Sequence, residues 1–259
     1  MGATLAVLGA GSILPRVGYG CSGYVLRPAA GAAVTLLDCG PGSIRALASV
    51  GVELGEVERV VLSHFHLDHC LDLFALAFAR HNPRFAAARE LELVGPRGLA
   101  ARVHDVPAVL GHWAAVPRAR VSEVEPGEVL VRGALTWRST ANGHTPEALS
   151  WRVDAAAGWS LVYTGDTGPD PRVAELARGA DTLLAECSFP EAEAVPNHLT
   201  PLGAARLARQ AGVARLLLTH FYPSLEPEEA RAEAALVYPG PIELARDGRT
   251  FALEATVRP

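Results

Sequence analysis

The sequence predicts a mixed α/β layered fold, and two observations carry this prediction. Short apolar or β-branched runs of strand length, punctuated by glycine, proline or aspartate, recur in both halves of the 259-residue chain. Helical patterns interleave with these runs, and no linker, low-complexity tract or sequence repeat divides the chain. Because 49% of the residues are apolar, the chain can bury a full core. We therefore predict a single domain over residues 1–259 with helices layered on β-sheets.

The apolar and β-branched runs define the predicted strands in chain order. These strands are Thr4–Leu8, Gly23–Arg27, Val34–Leu37, Arg59–Leu62, Leu91–Val94, Val129–Val131, Leu135–Ser139, Leu149–Val153, Ser160–Tyr163, Thr182–Ala185, Arg215–Leu218 and Thr250–Leu253. The predicted helices are Ser43–Val50, Cys70–Ala79, Arg97–His104, Pro171–Ala177, Pro201–Gln210 and Glu226–Ala235. The helix at Pro201 has the clearest start, because Thr200 can cap its first turn and proline suits the first helical position.

Composition is typical of a cytoplasmic globular protein. The stretch from Met1 to Gly9 has no basic region and too short an apolar run for a secretion signal, so it is predicted to be the first strand. No apolar stretch approaches the ~20 residues that a membrane helix requires. The cysteines are scattered without a Cys-x-x-Cys pair, and we expect reduced packing residues at Cys21, Cys39, Cys70 and Cys187.

The charged residues exclude some kinds of chemistry. All 23 basic residues are arginine, and the absence of lysine excludes Schiff-base catalysis and a phosphate-binding P-loop. The formal net charge of −5 argues against a protein whose whole surface binds nucleic acid. A local basic groove is still compatible with this charge.

The most informative segment is Ser63-His64-Phe65-His66-Leu67-Asp68-His69. It places four candidate metal ligands, His64, His66, Asp68 and His69, within six positions. Imidazole and carboxylate are ligands for zinc and similar first-row ions, and burying such a cluster without a cation would be costly. The alternative is a polar loop rich in histidine, but further ligands of the kind that a metal site needs follow downstream.

Three candidate ligands follow predicted strands in the same manner. A buried-strand pattern gives way to a small hydroxyl residue and then to the ligand in Val60-Val61-Leu62-Ser63-His64, in Leu161-Val162-Tyr163-Thr164-Gly165-Asp166 and in Leu216-Leu217-Leu218-Thr219-His220. Ligands at the ends of several core strands can converge on one edge of a sheet. His144 follows the strand near Leu135 and is expected to join them from a turn.

Spacing divides the candidate ligands into two groups. His64 and His66 are two residues apart and would project to the same side of an extended loop, whereas Asp68 and His69 open the next helix. The predicted first ion is held by His64, His66 and His144, the second by Asp68, His69 and His220, with Asp166 bridging both. Two cations ~3.5 to 4 Å apart can clamp attacking and leaving oxygens and lower the pKa of a bridging water. Zinc is favoured, although manganese and iron accept the same ligands.

The order of these motifs resembles the metallo-β-lactamase superfamily. The motifs are His-x-His-x-Asp-His, a lone histidine, Gly-Asp-Thr and a final Thr-His, and the resemblance runs from about Thr4 to His220. It implies a four-layer αββα sandwich with a dinuclear site, usually of zinc, on the sheet edge. It also implies a homodimer.

Two further segments are similar to the ribonuclease Z-like phosphodiesterases of that superfamily. Glu186 ends a predicted strand, and His198 precedes the helix at Pro201. In that branch the pair lies beside the metals and the histidine assists the leaving group, so Asp68, Glu186 and His198 are the candidate catalytic residues. An imidazole near neutral pKa can protonate a departing alkoxide, and a carboxylate can orient it. Asp38 is either the family's early aspartate, which bonds to a ligand, or an ordinary turn residue before Gly40.

One segment departs from tRNA-processing ribonuclease Z. Short enzymes of that type carry a long exosite arm between the lone histidine and the bridging aspartate, whereas about twenty residues separate His144 from Asp166 here. Without an arm or lysine, and with an acidic total charge, the chain has no obvious means of gripping tRNA phosphates.

We therefore predict a dinuclear metal hydrolase that cleaves a small or cyclic nucleotide-type phosphodiester through a metal-bridging hydroxide. The predicted partner is this small-molecule substrate. A membrane partner is not expected, and nucleic acid is not favoured as a substrate. Three alternatives stay open. They are a ribonuclease Z-type tRNA 3′ endonuclease, an iron-dependent dioxygenase on the same scaffold, and a binding module whose metals are structural.

Overall fold

Two seven-stranded β-sheets pack face to face in the computed structural model, which describes residues 2–29, 32–85 and 88–256. The first sheet contains β1 (Ala3–Gly9), β2 (Gly23–Arg27), β3 (Val34–Cys39), β4 (Val57–Val61), β5 (Leu91–Pro96) and β6 (Ala119–Val124), together with the last strand of the chain, β14 (Thr250–Leu253). Its order is β14-β1-β2-β3-β4-β5-β6. Pairing is antiparallel from β14 to β3 and parallel from β3 to β6.

The second sheet is built from the second half of the chain. It contains β7 (Val129–Arg132), β8 (Leu135–Ala141), β9 (Leu149–Ala155), β10 (Ser160–Tyr163), β11 (Thr182–Glu186), β12 (Arg215–Thr219) and β13 (Ile242–Leu244), in the order β13-β12-β11-β10-β9-β8-β7. The strands from β10 to β13 are parallel to one another, and β9 pairs antiparallel with both β8 and β10. The C-terminal ends of β8, β10, β11 and β12 therefore lie on one edge of the sheet.

Helices cover the outer surface of each sheet. The first-half helices are α1 (Ser43–Ala46), α2 (Leu67–Cys70), α3 (Asp72–Arg80) and α4 (Leu99–Leu110), and the second-half helices are α5 (Pro171–Leu176), α6 (Pro201–Ala211) and α7 (Pro227–Ala235). The Thr200 hydroxyl accepts a hydrogen bond from the Gly203 N–H and Pro201 opens the helix, so the predicted start of α6 is confirmed. Short 3₁₀ turns link several of these elements.

Alternating side chains of each strand fill different layers. Val61 of β4 and Leu217 of β12 lie in the core between the two sheets. Val60 packs under the helices of the first half, and Leu216 packs under those of the second half. Successive side chains of a strand point to opposite faces, so each central strand must be apolar on both. These layers form the αββα sandwich that the family resemblance implies, and they confirm the mixed α/β layering that the sequence pattern predicts.

The structure extends some predictions and corrects others. All of the predicted strands are present, but β6 and β13 were not predicted. β13 is only three residues long, and β6 carries charged and polar side chains at the sheet edge. The helix predicted over Arg97–His104 corresponds to α4, which continues through Pro107 to Leu110. It ends before Gly111, which has φ +88°. Residues 1, 30–31, 86–87 and 257–259 of the predicted domain lie outside the described residues.

Two expectations about composition can be compared with the structure. Cys21, Cys39, Cys70 and Cys187 are all free thiols, and all but Cys21 are buried. In the described part of the chain, no helix has the length and apolar character needed to span a bilayer.

Candidate metal centre

The candidate ligands meet where strands of both sheets end. His64 follows β4, His144 follows β8, Asp166 follows β10 and His220 directly follows β12. His220 takes a left-handed backbone conformation with φ +60°, which is unusual for a residue other than glycine and turns the chain sharply out of the sheet. The common pattern of strand, small hydroxyl residue and ligand therefore brings distant residues to one edge, as the sequence predicts.

The first predicted ligand group is assembled in the structure. His64, His66, His144 and Asp166 each present a donor atom within 4.8 Å of the others. The Nδ1 of His66 lies 3.0 Å from the Nε2 of His144. The Oδ2 of Asp166 lies 3.8 Å from the Nε2 of His64 and 3.7 Å from the Nε2 of His144. These three nitrogens and one oxygen surround a space in which one ion could be bound.

The second predicted group lies on the other side of Asp166. Asp68, His69 and His220 form a buried cluster, and the Nε2 atoms of the two histidines are 3.3 Å apart. The Oδ1 of Asp166 lies 3.2 Å from His69 Nε2 and 3.5 Å from His220 Nε2. The Oδ2 of Asp68 lies 3.5 Å from His220 Nε2. One oxygen of Asp166 thus faces each group, which is the arrangement expected of a bridging ligand.

Hydrogen bonds orient two of the rings through an acidic residue at the base of the site. Asp38 is fully buried, and its Oδ2 accepts hydrogen bonds from the Nδ1 of His69 at 2.6 Å, the Ser63 hydroxyl at 2.7 Å and the Tyr163 hydroxyl at 2.6 Å. Because the Ser63 hydroxyl donates to Asp38, its oxygen can accept from the Nδ1 of His64 at 2.9 Å. Both imidazoles therefore carry a proton on Nδ1 and direct Nε2 into the site.

The other two rings are oriented in the same way by different partners. The Nδ1 of His144 donates to the carbonyl oxygen of Asn197 at 2.9 Å. The Ser188 hydroxyl donates to Glu186, so its oxygen accepts from the Nδ1 of His220 at 3.0 Å. His64, His69, His144 and His220 thus all direct Nε2 inward. Fixing the tautomer through a second hydrogen bond is the usual arrangement of metal-binding histidine.

Two buried atoms of the site lack a hydrogen-bond partner among the described residues. They are His64 Nε2 and Asp166 Oδ1, one in each group. Leaving a buried polar atom unpaired costs about 1–3 kcal/mol, and more when the group is charged. A cation in each group would bind these atoms. The donor set of imidazole nitrogens and carboxylate oxygens therefore fits a pair of first-row divalent ions.

The electrostatics of the site favour ligand forms that bind metals. Burial holds the pKa of His64 well below its usual range, and it lowers the pKa of His144. Burial disfavours charge on Asp166, but His220 and His69 outweigh it and hold the pKa of that carboxyl well below its usual range. Burial likewise opposes the charged form of His69, yet Asp166 and Asp38 raise its pKa well above the usual value. A metal ion bound to His69 would replace that proton.

Glu186 and His198 lie beside both groups. The Nδ1 of His198 is 3.1 Å from each carboxylate oxygen of Glu186, and Glu186 also accepts from the Thr167 backbone N–H at 2.6 Å. Burial opposes the charged form of His198, but the hydrogen bond to Glu186 outweighs it and raises the pKa of His198. The ring lies 4.8 Å from that of His144 and stacks 6.0 Å from that of His220. His198 therefore lies beside the ligand groups, with its Nδ1 4.0 Å from the Oδ2 of Asp166.

Several supporting residues were not predicted from the sequence. The hydroxyls of Ser63 and Ser188, the phenol of Tyr163 and the Asn197 carbonyl all bind site residues. The repeated pattern of a hydroxyl residue before a ligand pointed to Ser63 without giving its role. A backbone carbonyl leaves no trace in the sequence, because any residue can supply one.

The chain is similar in sequence to a known protein family and to several bacterial proteins. The family model for the beta-lactamase superfamily domain matches residues 35–221. A Mycobacterium leprae protein whose name assigns no activity is 34% identical over 92% of this chain and 88% of its own length. A Mycobacterium marinum protein named ribonuclease Z is 32% identical over 94% of this chain and 96% of its own length.

Solved structures share the fold over almost the whole chain. The metallo-beta-lactamase fold protein YhfI from Bacillus subtilis has a TM-score of 0.84 and 24% identity, covering 96% of this chain and 98% of its own. The short form of human tRNase Z has a TM-score of 0.80 and 22% identity, with coverage of 97% and 99%. A diphosphatase of the PhnP family has a TM-score of 0.74 and 21% identity, with coverage of 99% and 100%.

Proposed function

Because this chain belongs to the metallo-β-lactamase superfamily, in the ribonuclease Z-like branch without the exosite arm, we propose that it is a metal-dependent phosphodiesterase acting on a small or cyclic nucleotide-type phosphodiester. The observation that carries the proposal is the contact of His198 with Glu186, 3.1 Å apart, next to a carboxylate shared by two ligand groups. This combination supplies both a place for two cations and a proton donor for the leaving group.

The residues that would hold the metals are those of the two groups. The first ion would be held by His64, His66 and His144, the second by Asp68, His69 and His220, and Asp166 would contribute one oxygen to each. When bound, two divalent cations activate a water nucleophile and neutralise charge on the phosphoryl oxygens. Zinc suits the mixture of nitrogen and oxygen donors, and manganese and iron accept the same set.

The chain's own residues would handle the leaving group. Glu186 accepts the Nδ1 proton of His198, so the Nε2 proton is the one available for transfer to a departing alkoxide. The raised pKa of His198 favours the form that carries this proton. The ordering of Glu186 by the Thr167 backbone and the Ser188 hydroxyl holds the donor in one orientation. Asp68 would assist as a ligand at the reacting centre.

Substrate size is inferred from what the chain lacks between two site residues. β9 and β10 are joined directly by residues 156–159, so the segment between His144 and Asp166 forms a short hairpin and carries no arm. The chain also contains no lysine and has a net charge of −5. Phosphate contacts by basic side chains dominate nucleic-acid affinity, and a small phosphodiester does not depend on them.

A tRNA 3′ endonuclease is the second candidate function. The similarity to the Mycobacterium marinum ribonuclease Z, at 32% identity over nearly the full length of both chains, favours it. An iron-dependent dioxygenase on the same scaffold would have no use for the Glu186–His198 pair as a proton donor. Elemental analysis with an oxygen-uptake assay separates that activity from hydrolysis.

The test is a screen of the metal-assayed protein against bis(p-nitrophenyl) phosphate, cyclic nucleotides, dinucleotides and a tRNA precursor. We expect turnover of the small esters and little cleavage of the tRNA. His198→Ala should reduce turnover of the cyclic nucleotides and dinucleotides sharply at unchanged metal content, whereas His104→Ala, which alters an exposed histidine bonded to Asp105, should leave both unchanged. Preferential tRNA cleavage would transfer the proposal to the second candidate. Loss of metal from His198→Ala would reassign His198 as a ligand.

A further inference from the structure

We propose that Phe189 and Tyr222 form an aromatic platform that binds the nucleobase of the substrate. This inference rests on the proposed phosphodiesterase function and specifies its substrate class. The substrate would then carry a planar nucleobase that is attached through a ribose to the leaving oxygen. Neither residue was singled out as functional by the sequence analysis.

The two aromatic residues occupy equivalent positions in the loops that follow two neighbouring strands. β11 and β12 are parallel, and Glu186 pairs with Thr219 at their C-terminal ends. Phe189 and Tyr222 each lie three residues beyond that pair, and each is followed by a proline. The residue before a proline is restricted to extended conformations, so both side chains leave the sheet edge from a constrained backbone. The Tyr222 N–H also donates to the Ser188 carbonyl, which ties the two loops together.

The two rings pack on each other and not on the core. Their centroids are 4.4 Å apart and their planes are inclined by 32°. Both side chains are half-buried, and in the described part of the chain neither belongs to an apolar core cluster nor packs against one. Phe221, the neighbour of Tyr222, is by contrast fully buried in the outer core of the second sheet. Core packing therefore accounts for Phe221 but not for the aromatic platform.

The platform adjoins the proton donor. Phe189 lies 5.5 Å from His198 between ring centroids, and Tyr222 lies 6.2 Å from His198 and 5.7 Å from His220. His198 is the residue proposed to protonate the leaving oxygen, so a group attached to that oxygen extends toward these rings. Among the described residues, the Tyr222 hydroxyl makes no hydrogen bond. It is free to bond to a ribose or base atom.

A nucleobase is the occupant that suits this surface. Bases stack on aromatic side chains largely without regard to sequence, because every base has a π-face. A ribose between phosphorus and base provides the spacing from the reacting atoms to the rings. An alkyl phosphodiester would occupy the ligand groups and leave the platform uncovered.

The experiment compares two five-membered cyclic phosphodiesters that differ in the base. Adenosine 2′,3′-cyclic phosphate carries one and glycerol 1,2-cyclic phosphate does not. The variants are Tyr222→Leu, Phe189→Leu and the conservative Tyr222→Phe, and the control is Phe85→Leu, a half-buried aromatic in a 3₁₀ turn after α3. The kcat and KM for each ester, the zinc content and the calorimetric affinity for adenosine 3′-monophosphate and for inorganic phosphate are measured on zinc-loaded protein.

We expect each leucine variant to raise KM for the adenosine ester about tenfold, in line with the loss of one stacking partner. The glycerol ester, the zinc content and the affinity for inorganic phosphate should be unchanged, and Phe85→Leu should resemble the wild type on both esters. Tyr222→Phe keeps the stacking ring and loses only the hydroxyl, so its KM for the adenosine ester should rise less than that of Tyr222→Leu. Equal losses on both esters, or no loss on either, would overturn the platform while the phosphodiesterase function stands. If wild-type protein hydrolyses neither these esters nor any phosphodiester of the screen above, the proposed function fails; if it hydrolyses only others, the function stands. In both cases the calorimetry decides the platform alone. Tighter binding of adenosine 3′-monophosphate than of phosphate, abolished in the leucine variants, supports the platform, and its absence refutes it.

Discussion

Asp38 accepts a hydrogen bond from the Nδ1 of His69 at 2.6 Å, and the opposite nitrogen of that ring lies 3.2 Å from Asp166. The contact is made from a backbone with φ +54°, a left-handed conformation that is rare outside glycine. Asp38 thus supports the second ligand group from beneath, as one of the two interpretations of the sequence proposed. The unusual backbone turns its carboxylate toward Ser63 and His69 as β3 ends.

The first prediction concerns this support. Asp38→Asn should weaken zinc binding at the second group by about 10- to 100-fold, because an amide cannot accept from His69 and Ser63 as a carboxylate does. Asparagine is the appropriate substitution, since it tolerates the left-handed conformation. Competition against a chromophoric chelator measures the affinity.

Asp181→Asn is the matched control for that experiment. Asp181 is also buried and accepts hydrogen bonds from the N–H and hydroxyl of a serine, Ser160, at 2.8 and 2.6 Å. It belongs to neither ligand group, so its substitution should lower stability without altering zinc affinity. Equal zinc affinity in wild type and Asp38→Asn would show that the Asp38–His69 contact has no role in metal binding.

The positions of the ligands could be predicted because they depend on local patterns. An apolar run fixes a strand, and a polar residue at its end must lie near the edge of the sheet, as His64 and His220 do. Parallel strands then bring those ends together. The partners of the ligands depend on approaches between distant loops, such as Asn197 to His144, and no local pattern encodes such an approach.

The limits of the fold prediction have the same origin. β13 forms because Ile242–Leu244 can add to the edge of a sheet that already exists, and its three residues carry little pattern of their own. The predicted helix ends at His104, whereas α4 continues through Pro107 to Leu110, although a proline inside a helix removes one backbone hydrogen bond. Tertiary context therefore outweighs the local sequence there. The long apolar strands were predicted correctly because both faces of each strand are buried, so that the whole segment is a run of apolar residues.

The second prediction tests the division of the ligands. Wild-type protein should bind two zinc ions, and His66→Ala and His220→Ala should each retain about one, because each removes a ligand from one group only. Asp166→Ala should lose both, since its two oxygens face different groups. Elemental analysis after dialysis gives the stoichiometry. Retention of two ions by Asp166→Ala would refute the bridging role.

The third prediction concerns the proton donor. General acid catalysis contributes about 10²- to 10⁴-fold when the leaving group is a poor one. His198→Ala should therefore slow the hydrolysis of a cyclic nucleotide by that factor, and should slow bis(p-nitrophenyl) phosphate less, because nitrophenolate leaves with less need of a proton. The ratio of the two rates is the readout. An equal loss on both substrates would indicate that His198 positions the phosphodiester and does not protonate it.

The Glu186→Gln variant tests the Glu186–His198 pair through the pH dependence of the rate. An amide still contacts His198 but no longer favours its charged form, so the alkaline limb of the rate profile, where the general acid loses its proton, should move to lower pH. The sign follows from the raised pKa of His198, which Glu186 maintains against burial. An unmoved limb would show that Glu186 does not set the protonation of His198.

The last prediction concerns stability and lies away from the site. Glu92 on β5 is 5% exposed and contacts Arg59 at 2.7 Å, Arg120 at 2.9 Å and Arg132 of the other sheet at 2.6 Å. Burial opposes the charge of Glu92, but Arg132 and Arg59 outweigh it and lower the pKa of Glu92.

A carboxyl whose pKa is lowered on folding stabilises the fold at pH values above the ordinary glutamate pKa of about 4.3. This contribution is lost as the pH falls through the pKa of the folded state. Glu92→Gln should therefore destabilise the protein by about 1–3 kcal/mol at pH 7, because it removes the carboxylate that pairs with the partly buried guanidinium groups of Arg59 and Arg132. In urea unfolding, the difference from wild type should shrink as the pH falls below about 4, and a difference that stays constant would show that Glu92 is not charged in the folded protein.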